Sequence, residues 1–452
     1  MGSRGIVLYA VMALLIVVVG FFQSWNVAFN LINLCLISAI MSLGVNMQWG
    51  YAGLFNVGIV GFAALGGLAA VLTAMPPVRG AWEAGGVGIG LAFVAFVATV
   101  GAVVLVGRVT PRRWRRLAMI VVGAFGLFAI RSVLDPAVEA IELFDPARNG
   151  YLGGLGLPVL LSWPIGGLLA AGAAWLVGKI SLGLRADYLA IATLGISEII
   201  IAMIKNEDWL TRGVKNVTGL PRPVPYEIEL QQSPWFLDLA SAIGANPASF
   251  SSILVKICYA LLFVAVLAIL MWLAERALNS PWGRMMRAIR DNRDAAEAMG
   301  KDVTRRHLQI FILGSAVVGL AGAMLTTLDG QLTPGSYNPL RFTFLIWVMV
   351  IVGGSGNNWG AVLGGFLIWF IWVEAEPVGI WLMDTLTAGL GPSSPVRAHL
   401  LDAAPHARLF VMGLILLLML RFAPAGLIPE RTAGSSGAGP AAARAAAEQE
   451  PA

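Results

Sequence analysis

Long apolar runs alternate with short polar ones along almost the whole chain. Apolar stretches lie near residues 6–22, 27–47, 53–75, 87–107, 118–134, 160–178, 187–204, 252–274, 307–327, 343–354, 360–377 and 408–424. Most have the length, about 17–25 residues, that an α-helix needs to cross a hydrocarbon core of roughly 30 Å. A helix satisfies its own backbone in lipid. The pattern therefore predicts an all-α polytopic membrane protein with about 10–12 transmembrane helices. A β-barrel would instead alternate polarity within segments of about 10 residues. The first run follows Arg4, exceeds a signal-peptide core and lacks a clean small-residue cleavage site, so it reads as a retained span. The second and third runs are joined by QWGYAG, hardly a loop, which makes one of them a re-entrant candidate. The run 118–134 carries Arg131 and is the least regular.

The polar stretches fix an orientation. Arg108, Arg112, Arg113, Arg115 and Arg116 follow the fourth run, Lys179 and Arg185 follow the sixth, and the basic stretch 280–306 follows the eighth. Threading twelve spans in order puts all three on one face. The excess of Lys and Arg reads that face as cytoplasmic, with both termini on it. The opposite face receives 76–86, 135–159, 205–251 and 378–407.

Composition agrees, with 58% hydrophobic and 12% charged residues and a mean hydropathy of +0.80. The net charge of +5 resides in loops and reads as a topology signal rather than a nucleic-acid surface. Glycine is abundant at 53 residues, as expected where membrane helices pack closely or break. Two Gly/Asn/Trp-rich stretches, WGYAGLFNVGIVGFAALGG (49–67) and GGSGNNWGAVLGG (353–365), echo one another. Paired breaks of this kind are what inverted-repeat transporters show. Cys35 and Cys258 lie within apolar runs, so neither a disulfide nor a metal site is expected.

The stretch SPWGRMMRAIRDNRDAAEAMGKDVTRR (280–306) is charged yet patterned as helix. Ser280-Pro281 is a helix start. Asp291 with Asp294 resembles a capping box for a second short helix. Ala295, Ala296 and Met299 are expected to form one small apolar face, and Gly300 a left-handed stop. Such a knob suits docking into a groove on another protein.

Asp294-Ala295-Ala296-x-x-x-Gly300 resembles the E-A-A-x-x-x-G coupling motif of ABC importer permeases, with Asp for Glu and Ile310-Phe311-Ile312-Leu313 where that motif continues Ile-x-Leu-Pro. The similarity runs on through LGVNMQWGYAGLFNVGIVGFAALGGLAA (43–70), LRADYLAIATLGISEII (184–200), Thr218-Gly219-Leu220-Pro221, LAGAMLTTLDGQLTPGSY (320–337), VMVIVGGSGNNWGAVLGG (348–365) and RFAPAGLIPE (421–430). Taken together these are similar to the permease subunits of branched-chain amino-acid ABC importers. The stretch 108–150 and the alanine-rich tail depart from that pattern.

The resemblance implies a permease domain over 1–431 of a bacterial inner membrane, with a cytoplasmic coupling segment at 280–306, a periplasmic loop at 205–251 and a disordered cytoplasmic tail at 432–452. It also implies a second permease, two ATPase subunits and a periplasmic binding protein for a small amino acid. The chain itself would be non-catalytic, with no cofactor of its own, ATP and magnesium being bound by the ATPases. No G-x-x-x-x-G-K-[ST] occurs in the sequence. Coupling would fall to Arg284, Arg287, Asp294, Ala295, Ala296, Met299 and Gly300. Permeases for urea and short amides have a similar appearance.

Intramembrane polar groups are costly and so are candidates for the translocation path. Glu198 either faces that path or pairs with Lys256. In an ion-gradient-driven secondary transporter, the competing class, it would be the coupling carboxylate. Asn46, Gln48 and Asn56 flank the Gly50–Gly53 break and either line the path or satisfy broken backbone. Asn357 and Asn358 hold the matching place in the second half. Trp25, Trp49, Trp82 and Trp359 read as interfacial anchors.

Overall fold

The computed structural model describes residues 2–146, 149–389 and 394–430. The expected tail 432–452 lies outside the described residues. Membrane-length helices dominate: α1 (Ser3–Phe22), α2 (Trp25–Ala52), α3 (Ile59–Ala74), α4 (Arg79–Val109), α5 (Arg115–Phe144), α6 (Val159–Ser181), α7 (Ala186–Asn206) and α8 (Pro247–Asn279). Two short helices follow, α9 (Pro281–Asp291) and α10 (Arg293–Ala298). Then come α11 (Val303–Asp329), α12 (Pro339–Gly353), α13 (Asn358–Leu386), α14 (Pro395–Ala403) and α15 (Ala407–Phe422). Ten described segments are long and apolar enough to span a bilayer. The shorter α3 and α12 complete the expected twelve apolar elements. The chain is an all-α polytopic membrane protein.

The expected third span shortens to 16 residues because the chain is not helical from Gly53 to Gly58, where the Asn56 amide donates to the Leu54 carbonyl (3.1 Å). The expected fifth span lengthens to Arg115–Phe144, and α4 and α5 pack chiefly on each other at the periphery. The expected coupling segment also shortens, since 303–306 are already the first turn of α11. The loop 205–251 folds into short helices, and its strand β1 (Val217–Thr218) pairs antiparallel with β2 (Gln331–Leu332), Val217 opposite Leu332.

The core is built where α2, α3, α6 and α11 cross. Lipid supplies no hydrophobic drive between helices, so close contact depends on small residues. Gly66 of α3 faces the backbone of Gly319 in α11 and Gly166 of α6, and a Cβ on Gly66 would overlap the Gly319 carbonyl oxygen. Gly66→Leu is therefore expected to abolish recovery of a monodisperse protein in detergent. Gly123→Leu, placed in open space on α5, should leave the size-exclusion profile unchanged.

Candidate functional site

The two echoing glycine-rich stretches meet in space, at the end of the bundle that carries α9. The first break is residues 53–58 rather than Gly50–Gly53, because α2 continues through Gly50 to Ala52. Gly53 closes the helix in the left-handed region (φ 68°). The second break is residues 354–357, between α12 and α13.

Both breaks leave backbone groups without helical partners inside the packed bundle, where an unmet buried group costs about 1–3 kcal/mol. Side chains meet them. Asn46, fully buried in α2, accepts from the Gly356 amide (2.9 Å) and donates to the Asn358 side chain (3.2 Å). Asn358 in turn donates to Glu275 at the end of α8 (3.1 Å). Gln48 donates to the Phe311 carbonyl (2.9 Å) and the Ser315 hydroxyl (3.0 Å) and accepts from Asn56 (2.9 Å). Asn56 accepts from the Gly58 amide (2.9 Å), while its carbonyl accepts from the Trp347 indole (3.1 Å). Asn357 caps α13 by accepting from the Trp359 amide (3.1 Å) and donates to the Pro429 carbonyl (3.1 Å). Asn46, Gln48, Asn56 and Asn357 thus stitch the breaks together.

Sequence reading missed two partners of this junction. Thr193 accepts from the Val57 amide (3.1 Å) and Ser197 from the Gly61 amide (2.8 Å), so α7 caps the start of α3. Their spacing of four on an otherwise apolar helix was the available signal. Glu198, one residue on, points the other way and is exposed. The expected Glu198–Lys256 pair does not form: Lys256 instead donates to the backbone and side chain of Asn26. Trp49 is half-buried. It packs edge-on against Trp347 (5.2 Å between ring centres), and Phe55 meets the same ring at 4.7 Å. Trp25, Trp82 and Trp359 do lie exposed near helix ends.

The charged segment is joined to this junction. Arg290, the penultimate residue of α9, donates through one guanidinium nitrogen to the Gly50 carbonyl and to Glu430 (2.8 Å for the latter). Glu430 ends a strap, residues 423–430, that covers the second break: Leu427 and Ile428 donate to the carbonyls of Val352 (2.9 Å) and Gly353 (3.0 Å). One side chain therefore ties α9 to both breaks.

Within α9 and α10 several expected details change. The cap of α10 is Asn292, which adopts the extended backbone a cap requires and accepts from the Ala295 amide (2.9 Å). Asp291 remains helical and pairs with Arg290 (3.0 Å). Ser280 holds the cap position of α9, but its hydroxyl donates back to Ala277 (2.6 Å). Ala295, Ala296 and Met299 do not share a face: Ala296 packs inward against Ile289 and Val303, whereas Ala295 and Met299 are exposed. Asp294 and Arg284 are exposed as well, and Arg287 is half-buried, donating to Leu278 (3.1 Å). Gly300 has φ 74° with open space around it.

Residues 27–420 match the family described as the permease component of branched-chain amino acid transport systems. This chain belongs to that family. It is 28% identical over 253 residues to the high-affinity branched-chain amino acid permease protein LivM of Salmonella typhimurium, covering 55% of this chain and 57% of that one. It is 25% identical over 401 residues to a probable LivM of Methanocaldococcus jannaschii, covering 87% and 90%. The xylose transport permease XylH of Escherichia coli is 23% identical over 273 residues, covering 56% of each chain. The chain thus spans little more than half the length of the bacterial LivM relative it matches. No solved structure matches it.

Asn46→Leu keeps the bulk of the side chain but orphans the Gly356 amide. It is expected to lower stability by about 1–3 kcal/mol, read as a lower midpoint of thermal inactivation in detergent. An unchanged midpoint would show that the bridge between the breaks contributes nothing.

Proposed function

We propose that this chain is a permease subunit of an ATP-driven importer for branched-chain or related small amino acids. It would work with a second permease, two ATPase subunits and a periplasmic binding protein, in the inner membrane with both termini cytoplasmic. The observation that carries the reading is the α9–α10 knob and its single-residue tie to both breaks. A transporter driven by an ion gradient has no use for an exposed docking knob, and the exposed Glu198 is a poor coupling group. The family membership and the LivM relatives support the amino-acid substrate.

In this reading the exposed side of α10, with Asp294, Ala295, Met299 and Gly300, enters a groove on the ATPase. Ala296 serves from the other side, holding α10 to α9 and α11. When the ATPases close, α9 moves as a body, because Met286 and Ile289 are buried beneath it. Arg290 then carries the motion to the Gly50 carbonyl and the 423–430 strap. A charged hydrogen bond contributes about 1.5–3 kcal/mol, and about 1.4 kcal/mol is a factor of ten.

Arg290→Ala should therefore lower ATP-driven leucine uptake by about tenfold or more in reconstituted liposomes, while assembly with the ATPases persists. Uptake at the unmodified rate from this variant would contradict the tie. Gly300→Pro, which replaces φ 74° by a ring-locked value near −65°, is expected to lose ATPase association itself, measured by co-purification from mild detergent.

A further inference from the structure

A cavity of about 680 Å³ opens at the end of the bundle opposite α9, among α2, α3, α11, α12, α13 and α15. Its size is that of a small-molecule site. The apolar part of its wall includes Met41, Val60, Ala63 and Ile346. The polar part carries the ion pair of Arg408 with Glu376 and the Asp329 carboxylate, exposed at the end of α11, which makes no hydrogen bond or ion pair among the described residues. The Thr333 hydroxyl and the Trp369 indole N–H also line it, and both atoms are buried without a partner among the described residues. Buried polar atoms are nearly always satisfied, so two unmet ones on one cavity wall call for a ligand or solvent there.

The Trp49–Phe55–Trp347 cluster lies near one wall of the cavity without lining it. Trp347 adjoins Ile346 of the cavity wall, and Trp49 adjoins Gly50, which Arg290 holds. The three rings lie outside the cavity lining, between its wall at Ile346 and the Gly50 end of α2.

We propose that this cavity holds the substrate in transit, and that it takes a zwitterionic amino acid with a branched aliphatic side chain; this rests on the importer reading above. Asp329 receives the ammonium group, the Trp369 N–H and Thr333 O–H meet the carboxylate, and the aliphatic branch lies against Met41, Val60, Ala63 and Ile346. A lipid chain would leave the carboxylate and both unmet polar atoms unanswered.

The test uses the assembled importer in liposomes, with Ser336→Cys at the exposed cavity rim in a Cys258→Ser background, and Gln331→Cys as a second rim position. The modification rate by a charged thiol reagent is followed with rising leucine. At ten times its dissociation constant, leucine is expected to slow modification by about tenfold, and Asp329→Asn should remove that protection. Wild-type importer that takes up leucine, with both rim positions modified at the same rate with and without leucine, would overturn the cavity assignment and leave the importer reading standing. Absence of ATP-driven uptake of any amino acid by the wild-type complex would overturn the importer reading, and the cavity assignment with it.

Discussion

A buried backbone amide or carbonyl cannot be left without a partner except at a cost of about 1–3 kcal/mol, and this chain breaks its helices twice inside its packed bundle. The rest of the structure follows from how those breaks are mended. Asn46 reaches from α2 to the amide of Gly356 and to Asn358, Gln48 reaches to α11 and to Asn56, and α7 supplies Thr193 and Ser197. Most of these mends cross between elements far apart in sequence. The breaks are therefore fixed relative to one another and cannot shift independently without exposing polar backbone.

A junction of that kind transmits displacement. It is rigid by hydrogen bonding, it is surrounded by helices in close contact through small residues such as Gly66, Gly166 and Gly319, and one arginine links it to the surface. The Arg290 guanidinium suits that place because it is planar, always charged and able to serve a carbonyl and a carboxylate together. Trp49 and Phe55 flank the end of α2 and meet Trp347 of α12 ring to ring, so the aromatic contact joins the first break to α12. In the proposed importer, ATP chemistry stays with the partners and this chain contributes geometry.

Much of the fold was legible in the sequence because lipid imposes a length and a polarity on every span. The positions of all twelve apolar elements follow from that constraint alone. The exact breaks did not, since Gly50 and Gly53 look alike in sequence and only packing against Arg290 and Gly356 decides which one ends α2. The site was half legible. The asparagines stood out as polar groups in apolar runs, but whether they faced a pathway or a neighbouring backbone depended on contacts across hundreds of residues. Glu198 drew attention because it is charged, whereas Ser197 beside it makes the structural contact by virtue of its orientation. Asn292 displaced Asp291 as the cap because α9 extends one residue further than its charge pattern suggests. The strap 423–430 and its tie to Arg290 left no local signature, because both partners are ordinary charged residues near ordinary helix ends.

The central claim is that α9 and the two breaks move as one unit. Hydrogen exchange of the assembled importer, compared with and without ATP under non-hydrolysing conditions, tests this directly. If the claim holds, amide exchange changes together in 281–300, in 50–58 and in 353–358, and Arg290→Ala confines the change to 281–300. A response limited to 281–300 in the unaltered protein would contradict it.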